Sequence, residues 1–152
     1  MAHERAIQDV ESRGLAVEFA QSVRASSLED AAAKMGIDPS AIVKTLVVKR
    51  HDGDFLLALI PGDKQIAWKK LRELVGVNKL QLPDASVALE ATGYERGTIT
   101  PLGALGDWPV YADASIVGKR ISLGAGEHGW HAWVDADALV DAYSATVADI
   151  SD

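Results

Sequence analysis

Lys44 stands inside "AIVKTLVV", residues 41–48, where every neighbour is apolar or β-branched. A fully buried, unpaired ammonium costs several kcal/mol. Lys44 therefore lies near a strand end, pairs with an acid, or faces a cleft; a lysine snorkelling from the start of the strand is the plainer option. A second stretch, "TGYERGTITP" at 92–101, brackets three residues between Gly97 and Pro101. Glycine lets a backbone approach a ligand and present its amides, and proline stiffens the far end of such a loop. The amides of residues 97–100 could then hold a carbonyl oxygen or an oxyanion; a plain helix-to-strand turn is the alternative. A third stretch, "SLGAGEHGWH" at 122–131, carries Gly124, Gly126 and Gly129, with His128 and His131 at its end. Its glycine spacing fits neither a P-loop nor a dinucleotide fingerprint. His128 and His131 suit a metal only on a helix, and no acid is placed to complete a set, so no metal is expected. His128 otherwise reads as a loop histidine bonded to backbone. No nucleophile elbow or Ser-His-Asp order is evident, which leaves a covalent mechanism without support.

These residues need elements to hold them. "HERAIQDVESRG" reads as a helix ended by Gly14, and "LAVEFA" as a strand. Ser26 or Ser27 caps a helix over "LEDAAAKMG", and Asp38 with Pro39 opens a short second one. "IVKTLVVKR", the turn "HDGD" and "FLLALIP" form a hairpin. In that strand Ile42, Lys44, Leu46 and Val48 share one face, and Val43, Thr45 and Val47 the other. Helices follow over "QIAWKKLRELVG" and from Asp84 to Gly93, then short β segments at "GTITPLGAL", "WPVYAD", "RISLGAG" and "HAWVDAD", and a last helix over "DADALVDAYSA". The hairpin among interspersed helices predicts an α+β fold with a mixed or antiparallel sheet. Trp68, Trp108, Trp130 and Trp133 are expected in the core or at a pocket rim.

At 152 residues one domain, 1–152, is expected. There is no cysteine, which excludes thiol catalysis, disulfides and thiolate metal sites. The charged N-terminus and the lack of any long apolar run point to a cytoplasmic protein without a membrane segment. The net charge is −7, yet residues 44–79 carry eight basic and four acidic side chains. That basic island could hold a few phosphates, or be a solvated helix face.

"IVKTLVV", "TGYERGTITPLG", "VYADASIVGKRISLGAGEH" and "DADALVDAY" together resemble the YbaK/prolyl-tRNA synthetase-associated editing domain family, the freestanding trans-editing aminoacyl-tRNA deacylases. The resemblance covers residues 26–150, and its most specific parts are Lys44 and the spacing of Thr92, Gly93, Gly97, Pro101, Leu102 and Gly103. It implies a single α+β domain with a strongly curved, partly barrel-like mixed sheet flanked by helices. It implies hydrolysis of the ester joining a small wrong amino acid, Ala or Cys with Ser as a further candidate, to the 3′ end of tRNA, tRNA(Pro) foremost. Lys44 matches the family's essential lysine, Gly97 to Pro101 its substrate-positioning loop (Gly97, Thr98, Ile99, Thr100, Pro101), and His128 the histidine of alanine-clearing members. Gly124 and Gly126 would pass close to the substrate, and Lys64, Lys69, Lys70 and Arg72 would meet the acceptor stem. Water, helped by the substrate's own 2′-hydroxyl or side chain, would do the chemistry without cofactor or metal, in the service of translation fidelity. Prolyl-tRNA synthetase is a candidate partner. Two other classes stay open: a non-catalytic module binding tRNA or a synthetase, which gives Lys44 no reason to be where it is, and a hydrolase of other small esters, which would need no tRNA.

Overall fold

The strand Val43–Arg50 carries apolar residues on both faces, Val43 and Val47 on one and Leu46 and Val48 on the other, because both faces are covered, the condition under which strands lose their alternation. In the computed structural model, which describes residues 3–152, this strand, β2, pairs antiparallel with β3 (Phe55–Pro61), with Lys44 opposite Ile60. Its row Val43 and Val47 packs into a main core with Leu57, Leu59, Ile121, Leu123 and Val134. The opposite row, Leu46 and Val48, packs with Leu56, Ala58 and Ile60 beneath Leu71 of the helix α3 (Trp68–Val75). Lys44 opens that second row and Arg50 closes it, with Leu46 and Val48 between them.

β3 continues, through parallel pairings, to β5 (Val110–Asp113) and β8 (Thr146–Ala148). On the other side of β2 a two-residue strand, β4 (Leu80–Gln81), pairs only with Lys49 and Arg50. A second sheet is antiparallel in the order β1 (Val17–Gln21), β7 (Trp130–Asp135), β6 (Arg120–Gly124). A single parallel bridge, Ile42 to Ser122, ties the start of β2 to β6 and curls the two sheets into one partly closed wall. Between that bridge and β4 the outer edge of β2 has no strand partner among the described residues.

The helices follow local signals. Ser27 caps α2 (Leu28–Met35) by accepting from the Asp30 amide, and Gly36 ends it. Asp38 accepts from the Ser40 amide to start a 3-10 turn, Pro39–Ala41, that delivers the chain into β2. α4 (Ala85–Thr92) ends at Gly93, and α5 (Ala136–Tyr143) starts at Asp135. "GTITPLGAL" differs from its reading as a β segment: residues 97–105 form successive turns. No strand among the described residues pairs with it, and extended-looking composition alone does not make a ladder. β4 and β8, of two and three residues, had no pattern to announce them.

The first helix, α1 (His3–Arg13), packs outside those turns and clamps them. Arg5 donates to the carbonyls of Gly93 and Gly103, at 3.1 and 3.3 Å, while its guanidinium lies 4.6 Å above the Tyr94 ring. Asp9 accepts from the Gly103 amide at 2.9 Å, from Arg13 at 2.9 Å and from the Tyr143 hydroxyl. Burial pushes the Asp9 carboxyl up, but the bonds from Tyr143, Gly103 and Arg13 outweigh it and hold the group below its ordinary value. Replacing Asp9 by Ala should destabilise the protein by about 2–3 kcal/mol at neutral pH, measured by urea unfolding. A carboxyl depressed in the folded state stabilises above its unfolded pKa. The gap between wild type and variant should therefore be full above the ordinary 3.8 and shrink as pH falls through the native value.

Candidate active site

The open edge of β2 forms one wall of a cavity of about 550 Å³. Val43 to Val47 line it on that side, Leu82, Pro83, Ala85 and Ala88 from the α4 end on another, and Arg96, Gly97, Ile99 and Gly124 close it. Lys44 and the glycine–proline loop, far apart in sequence, thus share one hollow.

The loop is held from several directions. Tyr94 is fully buried and its hydroxyl donates to the Leu102 carbonyl at 2.6 Å. The Thr98 amide and hydroxyl both donate to the Glu95 carbonyl, at 2.9 and 2.7 Å, closing a turn in which Gly97 takes φ +92°. That angle lies where side chains are strained, so a glycine is required. Gly124 lets the loop lie directly on β6: a Cβ there would come within 2.7 Å of the Ile99 carbonyl oxygen and 2.9 Å of that of Thr98. The Gly126 amide donates to the Thr98 carbonyl at 2.9 Å.

The expected row of four amide donors is reduced by this geometry. Thr98 spends its amide on the turn, and Thr98, Thr100 and Pro101 are buried away from the cavity. The amides of Gly97 and Ile99 have no acceptor among the described residues, and both residues line the cavity. Two backbone donors are therefore available to an oxygen placed there.

Lys44 has no carboxylate partner among the described residues. Its ammonium is half-buried and donates to the Lys64 carbonyl at 2.5 Å, leaving two of its three N–H groups unspent. Thr45, the next residue, turns the other way. Its side chain is 8% exposed, lines the cavity, and its Oγ1 has no hydrogen-bond partner. A buried hydroxyl left so is unfavourable by about 1–3 kcal/mol, which a ligand group can relieve. In the sequence Thr45 shares a face with Val43 and Val47 and looks like any β-branched strand residue; its position beside Lys44 is the available signal. Arg96, exposed at the rim within "GYERGT", is a second lining residue that no sequence pattern singles out.

His128 does not line this cavity. It is exposed, its Nε2 is 3.0 Å from a Glu95 carboxylate oxygen, and it borders a separate recess with Thr98 and Gly126. Its Cε1 would lie 3.9 Å from a Cβ built on Gly97, so it stands beside that residue. The proposed tRNA set is divided. Lys64 lends its carbonyl to Lys44; Lys70 is engaged by Asp149 at 2.9 Å, which raises its pKa; Lys69 and Arg72 border a shallow depression on α3. Trp108 donates to the Ala91 carbonyl at 2.9 Å, and Trp68, Trp108 and Trp130 pack against the cores. No group of three or more His, Asp or Glu side chains is placed to hold a metal among the described residues, and no helix there is long and apolar enough to cross a membrane.

Known proteins share this fold. The model of the aminoacyl-tRNA editing domain matches residues 23–142. EbsC of Enterococcus faecalis, which carries the name of a Cys-tRNA(Pro)/Cys-tRNA(Cys) deacylase, is 30% identical over 135 residues, covering 88% of this chain and 82% of that protein. Proline–tRNA ligase of Bacillus velezensis is 32% identical over 133 residues, 85% of this chain but 23% of the ligase. The chain thus spans less than a quarter of the length of that ligase. Among solved structures, the hypothetical protein APE2540 superposes with a TM-score of 0.88 at 28% identity, covering 97% of this chain and 99% of that one. A protein described as a trans-editing enzyme for prolyl-tRNA synthetase shares the fold, with a TM-score of 0.89 at 24% identity over 99% and 97% of the two chains. With the family model spanning most of its length and an α+β fold common to these structures, the chain belongs to the aminoacyl-tRNA editing domain family.

Proposed function

We propose that this domain acts in trans to hydrolyse the ester of a small mischarged amino acid, Ala, Cys or Ser, at the 3′ end of tRNA(Pro). One observation carries the reading: a single cavity is lined by Lys44, by Gly97 and Ile99 with their unspent amides, and by Thr45 with its unpartnered hydroxyl, and no Cys, Ser or His lines it. The amides of Gly97 and Ile99 hold the ester carbonyl oxygen and take up the negative charge that grows on it as water adds. Lys44, fixed by the Lys64 carbonyl, offers its remaining N–H groups to the terminal phosphate or the ester. Water adds to the acyl carbon, oriented by the ribose 2′-hydroxyl. The bond from that carbon to the ribose 3′-oxygen then breaks, and a proton from the water passes to the departing oxygen. Val43, Val47, Ala88 and Ile99 leave room for a small side chain and exclude bulk. The Thr45 hydroxyl accepts from a thiol or hydroxyl on that side chain, which favours Cys and Ser. His128, on Glu95, braces the turn ahead of Gly97 without touching the ester.

Three variants test this on a panel of mischarged tRNAs scored for amino-acid release. Lys44→Ala should lower kcat/KM by about 100-fold or more; activity like wild type would remove Lys44 from the mechanism. Thr45→Val should lower kcat/KM about 10-fold on Cys- and Ser-tRNA while Ala-tRNA stays within about two-fold. An equal loss on all three would assign the hydroxyl to the α-amino group instead. Gly124→Ala, which drives a methyl into the loop carbonyls, should cost about 1–3 kcal/mol of stability and depress turnover on every substrate. Binding of tRNA with no turnover on any member of the panel would support the non-catalytic module.

A further inference from the structure

Beyond the ester cavity, β2 runs on to a second hollow of about 320 Å³, lined by Lys49, Arg50, His51, Arg72 and Lys79 with Gln81. No aspartate or glutamate lines it. This is a chain with 22 acidic and 15 Lys or Arg residues, so carboxylates are in surplus. Elsewhere they are used: Arg13 pairs with Asp9, Lys34 with Asp30, Lys70 with Asp149 and Arg120 with Glu18. Here Arg50 meets Asp52 at 3.3 Å, but Lys49, Arg72 and Lys79 have no carboxylate partner among the described residues. Cations gathered without partners repel one another, and an anion between them relieves that cost.

The two hollows are consecutive. Leu82 and Pro83 wall the first, and the preceding Leu80 and Gln81 wall the second. Along β2, Thr45 lies in the first and Lys49 in the second, four residues or about 13 Å on. A stacked nucleic-acid strand rises about 3.4 Å per nucleotide, so that distance corresponds to about four nucleotides. We infer that the hollow between the end of β2, β4 and the last turn of α3 binds RNA backbone phosphates about four nucleotides from the esterified 3′ end. The proposal rests on the deacylase reading and relocates the RNA contact. Of the four basic residues expected from the sequence, only Arg72 belongs to it; Lys49, Arg50 and Lys79 replace Lys64, Lys69 and Lys70.

The test needs no turnover, so it stands apart from the deacylation assays. An uncharged RNA hairpin with a four-nucleotide single-stranded 3′ end, fluorescently labelled, is titrated by anisotropy between 50 and 200 mM salt. Lys49→Ala/Lys79→Ala removes two side chains that make no ion pair, so its melting temperature should stay near wild type. Its affinity should fall about 10-fold or more, and the slope of log K against log salt should drop by about 1.5 to 2. Lys34→Ala/Arg120→Ala, with the same change in net charge, should keep the wild-type slope. Unchanged RNA binding in the first variant overturns the proposal, as does an equal loss in both variants. It is overturned too if inorganic phosphate or AMP binds in a Lys49- and Lys79-dependent way while RNA affinity does not depend on those lysines.

Discussion

An unpaired strand edge is the constraint on which this domain turns. A central strand normally has a partner on each side, and an edge left open is normally covered or blunted. β2 is central, covered on both faces and paired on one side by β3, yet on the other it meets β6 only at Ile42 and β4 only from Lys49. The interval between them is neither filled by a strand nor sealed by α4. It is the cavity. Because the strand is locked into two cores, the residues along that interval are fixed in direction, Thr45 to one side and Lys44 to the other. A polar pair can therefore be presented from an apolar strand without loosening it.

The opposite wall follows a different rule. The loop from Gly93 to Gly103 has no ladder, so its order comes from turns, from the buried Tyr94 and from the clamp of Arg5 and Asp9. Its amides at Gly97 and Ile99 are unspent because the hydrogen bonds that hold the loop come from neighbouring positions. Preorganised donors of this kind are more effective than mobile ones, since they need not reorganise as charge develops. Gly124 is the point where rigid and irregular walls touch, backbone against backbone.

Much of this was readable from residues, and the division is physical. Helix ends are set within a few residues, so Gly36, Gly76 and Gly93 mark them in the sequence, and the cap of α2 is narrowed there to Ser26 or Ser27, of which Ser27 serves. The β2–β3 hairpin has its turn chemistry and its apolar runs in one continuous stretch. Lys44 was conspicuous because a charge in an apolar run has few places to go. What escaped depends on partners distant in the chain. β4 and β8 exist only where β2 and β5 receive them. Thr45 looks like any β-branched strand residue until the space in front of it is known. "GTITPLGAL" has the composition of a strand and lacks a neighbour to make it one. The basic residues of 44–79 were visible as a sum, but which of them converge depends on how β2, α3 and β4 meet.

The segment that holds the lysine is itself held by the far end of the chain. Gln65 and Asp152 exchange backbone hydrogen bonds at 3.1 and 3.0 Å, the Ala67 amide donates to Ile150 at 2.8 Å, and Asp113 accepts from the Ile150 amide at 3.0 Å. Lys64, whose carbonyl fixes the Lys44 ammonium, is the next residue in from Gln65. Ile150 is fully buried in the core beneath α3, so residues 149–152 help to keep that core closed, and the fixed address of the Lys44 ammonium is tied to it.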